Sequence, residues 1–201
     1  KNIIPSNTIK NLSYFQITST NLSFVVLIAG YIISDFSLVN VYENSHTEKP
    51  LIYKFSGVWG NHEGSLLLWI LVLIIFCLLF LFTSQKKEKK YLTLTLLFQQ
   101  IIILGFLIFT LVTSNPFDII FPIPNEGLGL NPILQDPALA VHPPILYIGY
   151  VGCSIIFSSS LAALMSQNIN GNWASHIKRW AIISWIFLTV GIMLGSIWAY
   201  Y

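Results

Sequence analysis

Five stretches of this chain stay apolar for about the 20 residues that a helix needs to cross roughly 30 Å of hydrocarbon. They lie near 12–33, 65–84, 91–113, 143–165 and 180–200, and none carries an Asp, Glu, Lys, Arg or His well inside it. Only 9% of the residues are charged, against 55% hydrophobic. A soluble domain carries about 25% charged residues, so this chain could not cover a water-facing surface. The expected fold is therefore an all-α integral membrane protein, a polytopic bundle with about five transmembrane helices. The first span is the most diluted, by Thr18, Ser19, Thr20 and Asn21. The first 15 residues lack the basic, apolar and cleavage-site order of a signal peptide, so the first span reads as a retained helix. Residue 1 is Lys rather than Met, and the true start is expected to lie upstream. There is no internal repeat or low-complexity linker.

Charge sets an orientation. With the N-terminus inside, Lys1, Lys10, Lys86, Lys87, Lys89, Lys90, Lys178 and Arg179 are inside, and the outer loops keep only Lys49 and Lys54. This is the positive-inside pattern. Loops 34–64 and 114–142 then face outward with His46, His62 and His142, while His176 is inside. "KKEKK" (86–90) reads as the solvated turn that fixes topology rather than a lipid or nucleic-acid patch. A net charge of +2 is too small to suggest nucleic-acid binding. Cys77 and Cys153 form no CxxC or CxxCH, so the chain is not itself a c-type cytochrome, and each thiol is expected to be buried and inert. Trp173 and Trp180 suit an interfacial aromatic belt. Gly191 and Gly195 form a GxxxG pattern, expected to pack against helices that follow the fifth span.

The lack of in-span charges weakens a transporter reading, because coupled transport needs such groups near the midplane. Gln99 and Gln100, the most polar in-span pair, are expected to bond a neighbouring helix. Chemistry, if present, belongs to the outer surface, and His142 is the candidate. Pro143 and Pro144 are tolerated in a helix's first turn, where their missing amide hydrogen would be unpaired anyway. They are expected to start the fourth span, with His142 at its edge. The helix dipole there would favour the neutral, metal-ligating imidazole. The residues alone leave two readings open: His142 caps a helix, or it holds a metal. His62, in "GVWGNHEGSLLLW" (57–69), is equally open between an anchoring turn and a site. The outer group of His46, His62, His142, Glu63 and Asp136 shows no regular zinc or copper ligand spacing.

"YKFSGVWGNHEGSLLLWILVL" (53–73) and "NPILQDPALAVHPPILYIGYVG" (131–152) resemble the CcmF family, the haem lyase subunit of cytochrome c maturation, related to the NrfE and CcsA haem-handling proteins. The resemblance runs over most of residues 50–201. It implies that haem b is taken from the chaperone CcmE at the outer surface and held between two outer-loop histidines under a tryptophan-rich WWD loop. Its vinyl groups are then joined to the cysteines of an apocytochrome c CxxCH motif. It implies that His142, the HPP histidine, is one axial ligand to the haem iron, bis-imidazole ligation being one way to hold haem. It carries no ligand role to His62 and names no catalytic residue.

The implied partners are CcmE, CcmH/CcmI-like apocytochrome-handling subunits, apocytochrome c, the membrane and the remaining CcmF-like segment. The implied location is a bacterial inner membrane with a cytoplasmic N-terminus, or else a mitochondrial inner membrane. The WWD loop, the second outer histidine and the ligands of a structural b-type haem are not found in 1–201. The whole chain is therefore expected to be the N-terminal transmembrane part of a CcmF-like protein, a fragment or a split subunit. Lyase activity is expected only of the full-length protein or complex. The alternatives are a polytopic haem transporter and a cofactor-free structural subunit.

Overall fold

The computed structural model describes residues 6–85, 87–132 and 135–200. Its helices are α1 (Ser6–Ile33), α2 (Val39–Asn44), α3 (Leu51–Gly57), α4 (His62–Thr83), α5 (Lys89–Thr113), α6 (Pro137–Ser166) and α7 (Gly171–Tyr200). Five of these, α1, α4, α5, α6 and α7, are long and apolar enough to cross a membrane, as expected. The two short ones fold loop 34–64 into a cap that sequence periodicity does not reveal. The diluted first span is a continuous helix because its hydroxyls bond back into it: Ser13 Oγ donates to Ile9 O and Thr18 Oγ1 to Tyr14 O, both at 2.9 Å. Such side chains bring their own acceptor into lipid.

The most apolar helix, α4, is also the most buried and contacts α1, α5 and α6. Ile70, Leu73, Ile74 and Phe80 fill the core with Leu27 and Tyr31 of α1, Ile103 of α5 and Ile155 of α6. Lipid tails are as apolar as leucine, so close packing and interhelical hydrogen bonds must hold such a bundle together. The two glutamines supply both. Gln99 Nε2 donates to Ser154 Oγ at 2.9 Å and Gln99 Oε1 accepts from Ser158 Oγ at 3.0 Å, joining α5 to α6. Gln100 exchanges reciprocal amide bonds of 3.0 and 3.1 Å with Gln16 of α1.

Three expectations change. Trp180 is buried, 5.8 and 5.7 Å from the rings of Phe76 and Phe80, and Trp173 Nε1 donates to Ser159 Oγ at 3.1 Å; both are packing residues rather than belt anchors. Cys77 is buried as expected, whereas Cys153 is exposed on the flank of α6. The fourth span does not start at the prolines. Asp136 caps α6, its carboxylate accepting from Ala138 N at 2.6 Å, and Pro137 takes the first turn. An aspartate followed by proline satisfies a helix start better than a histidine does.

The two loops on the His142 side form one layer. Leu38 and Ile119 make an antiparallel bridge, and Val39 N donates to Asp118 O at 2.8 Å. Thr47 donates from N and Oγ1 to the two oxygens of Glu126, holding that carboxyl down at about 2, with the Thr47 hydroxyl as the largest cause.

Candidate functional site

His142 is the sixth residue of α6, one and a half turns inside the helix, with Pro143 and Pro144 following it. The helix dipole falls off within the first turn, so it cannot set the charge of this ring. Another contact orients the ring instead. His142 Nδ1 lies 2.8 Å from the carbonyl oxygen of Gly191 on α7. A carbonyl only accepts, so the neutral ring carries its proton on Nδ1 and presents the Nε2 lone pair. Metal-ligating histidines are commonly held this way, by a backbone carbonyl on the other ring nitrogen.

The GxxxG pair makes room for this contact. A methyl group at Gly195 would lie 2.6 Å from His142 Cε1, and one at Gly191 would lie 2.8 Å from Leu146 Cα. The glycines therefore seat α6 within this chain; they are not kept for a later helix. Gly149 and Gly152 answer from α6, where a methyl would meet Leu188 N at 2.5 Å and Ser184 Oγ at 2.5 Å. Trp198, one turn beyond Gly195, lies 6.2 Å from the His142 ring at 32°. His142 is half-buried between these neighbours.

The WGNHEGS turn has a different purpose. Asn61 Oδ1 accepts from Gly64 N at 2.8 Å and caps α4. Asn61 Nδ2 donates to Tyr31 Oη at 2.9 Å, Tyr31 Oη donates to Asn40 Oδ1 at 2.7 Å, and Asn40 Nδ2 returns to Asn61 Oδ1 at 2.8 Å. Glu63 joins through Asn40 Nδ2 at 3.2 Å. Gly64 admits no side chain, since a methyl would sit 1.7 Å from Val58 O. This closed polar knot ties α1, α2 and α4 together at the end of the bundle that carries loop 34–64. His62 stands outside it, exposed and edge-on to Phe109 at 6.5 Å.

His142, His62 and His46 thus go to separate partners. His46 Nε2 lies 3.9 Å from Glu126 Oε1. Among the described residues no three His, Cys, Asp or Glu side chains come together in a metal cage. His176, at the opposite end of α7, is buried against Phe80 and bonds Ser84 Oγ at 2.9 Å. What the site offers is one oriented imidazole beside an indole, which suits a single axial position on an iron already held in a planar macrocycle. The Asp136–Pro137 start was a readable helix signal. The GxxxG pattern signalled a close helix approach, but nothing marked His142 as what it receives, because 49 residues separate Gly191 from His142.

A family profile described as "Cytochrome C assembly protein" matches residues 59–201. The chain is 50% identical over 179 residues to the cytochrome c-type biogenesis protein CycK of Rhizobium meliloti, covering 89% of this chain and 26% of that protein. It is 43% identical over 180 residues to the cytochrome c-type biogenesis protein CcmF of Escherichia coli, covering 89% and 28%. Among solved structures it is similar to "Cytochrome c Heme Lyase CcmF", with a TM-score of 0.80 and 25% identity over 97% of this chain and 30% of that one. The chain therefore spans 26–28% of the length of these two curated relatives.

Proposed function

Because the chain belongs to the cytochrome c assembly protein family, we propose that it is the haem-receiving transmembrane part of a cytochrome c haem lyase, with His142 as one axial ligand of the haem in transit. The observation that carries this reading is the Nδ1–H bond from His142 to Gly191 O, which leaves Nε2 as the ligating atom. Gly195 keeps the ring's place clear, and Trp198 forms one flank of the site. Haem b is the substrate, delivered by the chaperone CcmE; its vinyl groups are joined to apocytochrome CxxCH thiols presented by CcmH/CcmI-like subunits. The remaining CcmF-like segment supplies the second imidazole and the WWD loop. This chain's residues bind and orient, and no residue in it is assigned the bond-forming step. The protein is multi-pass. We place it in a bacterial inner membrane with a cytoplasmic N-terminus, the mitochondrial inner membrane being the alternative.

In the full-length protein, His142→Ala should lower the yield of c-type cytochrome about tenfold or more, since removing even an outer-shell partner of a metal ligand costs 10–100-fold. Membrane insertion should be unchanged, and added imidazole should restore part of the yield by filling the vacant coordination position. His46→Ala, on an exposed loop, is the control; buried His176 is unsuitable for that purpose. Normal maturation with an unaltered haem spectrum in His142→Ala would leave the ring as an interhelical tie only.

A further inference from the structure

Two cavities share a boundary at the basic end of the bundle. An apolar groove of about 720 Å³ runs between α4, α6 and α7, walled by Leu71, Ile75, Leu79, Ile183 and Phe187. A polar cleft of about 430 Å³ lies between the α4–α5 and α6–α7 turns, where Lys87, Asn172, Trp173 and Ser175 are found. His176 and Arg179 line both.

The charges in the cleft are unbalanced. Glu88 also lines the cleft, and its Oε2 accepts from Asn168 Nδ2 at 2.9 Å, leaving one carboxylate against the two cations Lys87 and Arg179. Lys87 Nζ donates to a backbone carbonyl, Asn172 O, at 3.1 Å, and neither Lys87 nor Arg179 has a carboxylate within 4.0 Å among the described residues. Lys89, Lys90 and Lys178 stand exposed nearby in the sequence. We infer that the cleft and groove together form a binding site for one anionic phospholipid. The phosphate sits between Arg179 and Lys87, and an acyl chain lies along Ile75, Leu79 and Ile183.

Three physical reasons favour this occupant. Basic pockets between helices at a membrane surface attract anionic headgroups, and guanidinium binds phosphate through paired hydrogen bonds. A soluble phosphate would leave the adjoining groove unused. A later helix filling the groove would leave Arg179 and Lys87 without an anion unless it carried one, and charges on spanning helices are costly. A phospholipid brings anion and apolar chain in one molecule. The KKEKK turn then has a second role beyond topology, through Lys87. The headgroup end of the site is remote from His142, because His176 and Gly191 are about 23 Å apart along α7 at 1.5 Å per residue, while the groove itself extends as far as Pro144.

The test uses the full-length protein, purified from vesicles of equal phosphatidylglycerol and phosphatidylcholine, with retained lipids counted by native mass spectrometry. Phosphatidylglycerol should be retained preferentially. Each of K87A and R179A should weaken that preference about fivefold, the effect of one basic residue at an anionic surface, while K87R keeps it. A photoreactive residue at the exposed position Leu79 should cross-link to phospholipid. Equal retention of both lipids, or an undiminished preference in the double variant, would overturn the site. So would displacement by millimolar inorganic phosphate, which marks a soluble-anion site. A Leu79 cross-link onto polypeptide would show that another helix occupies the groove.

Discussion

His142 and Lys49 illustrate how one contact sets the chemistry of a side chain. For His142 the contact is a carbonyl 2.8 Å away on another helix, and the result is a defined tautomer. For Lys49 it is burial in the cap formed by loop 34–64, where Nζ donates to Asn44 O at 2.9 Å and a methyl at Gly57 would come within 3.0 Å of it. Burial first, and Lys54 second, push the Lys49 ammonium down to about 8 from 10.5. The sign follows from proton linkage. Between about 8 and 10.5 the unfolded chain binds more protons than the folded one, so stability rises with pH across that window. Below about 8 both states are protonated and the burial cost of the charge is fully present. Thermal midpoints of the full-length protein should therefore rise from pH 8 towards 10.5. Lys49→Met should be the more stable below pH 8, and the gap to the natural protein should close as pH rises. Parallel curves for the two proteins would reject the assignment.

Helix α6 carries the clearest lesson about elements. Two prolines at its seventh and eighth positions remove amide donors that its first turn would have spared, yet the helix continues because Asp136 and Pro137 begin it earlier. Its partner α7 approaches so closely that Gly149, Gly152, Gly191 and Gly195 have no space for a methyl group. Gly191→Ala should push the two helices apart and lower stability by about 1–3 kcal/mol, as overpacking does. Gly105→Ala on α5, where a methyl would meet nothing within 4 Å, should be neutral or stabilising by about 0.5–1 kcal/mol. Thermal unfolding in detergent compares the two. Equal gains would show that helix propensity, and not the α6–α7 contact, governs both positions.

Across the bundle the hydrogen bonds separate two ends. His176–Ser84, Lys87–Asn172 and Asn168–Glu88 gather the basic turns at one, and the bridge between Leu38 and Ile119 gathers the acidic loops near the other. Labelling with a membrane-impermeant thiol reagent tests which end faces out. Ser84 and Ser114 look suitable from sequence, but both are buried, so exposed positions are required. In a background with Cys77 and Cys153 replaced by Ala, Phe121→Cys should label in intact cells and Lys90→Cys only after lysis. The reverse pattern would place His142 on the inner side and remove the outer haem site.

The five spans, the all-α class and the helix-bonding glutamines were legible in the residues, because hydrocarbon imposes length, apolarity and polar pairing on each segment separately. The HPP and WGNHEGS motifs were legible as a family resemblance. Their geometry was not. The helix that Gly191 and Gly195 seat, the proton on His142, the burial of Trp180 and the meeting of Arg179 with Lys87 all depend on residues distant in the chain. Binary pattern reports how polar a position is, whereas a partner across a helix interface is fixed only when whole helices pack.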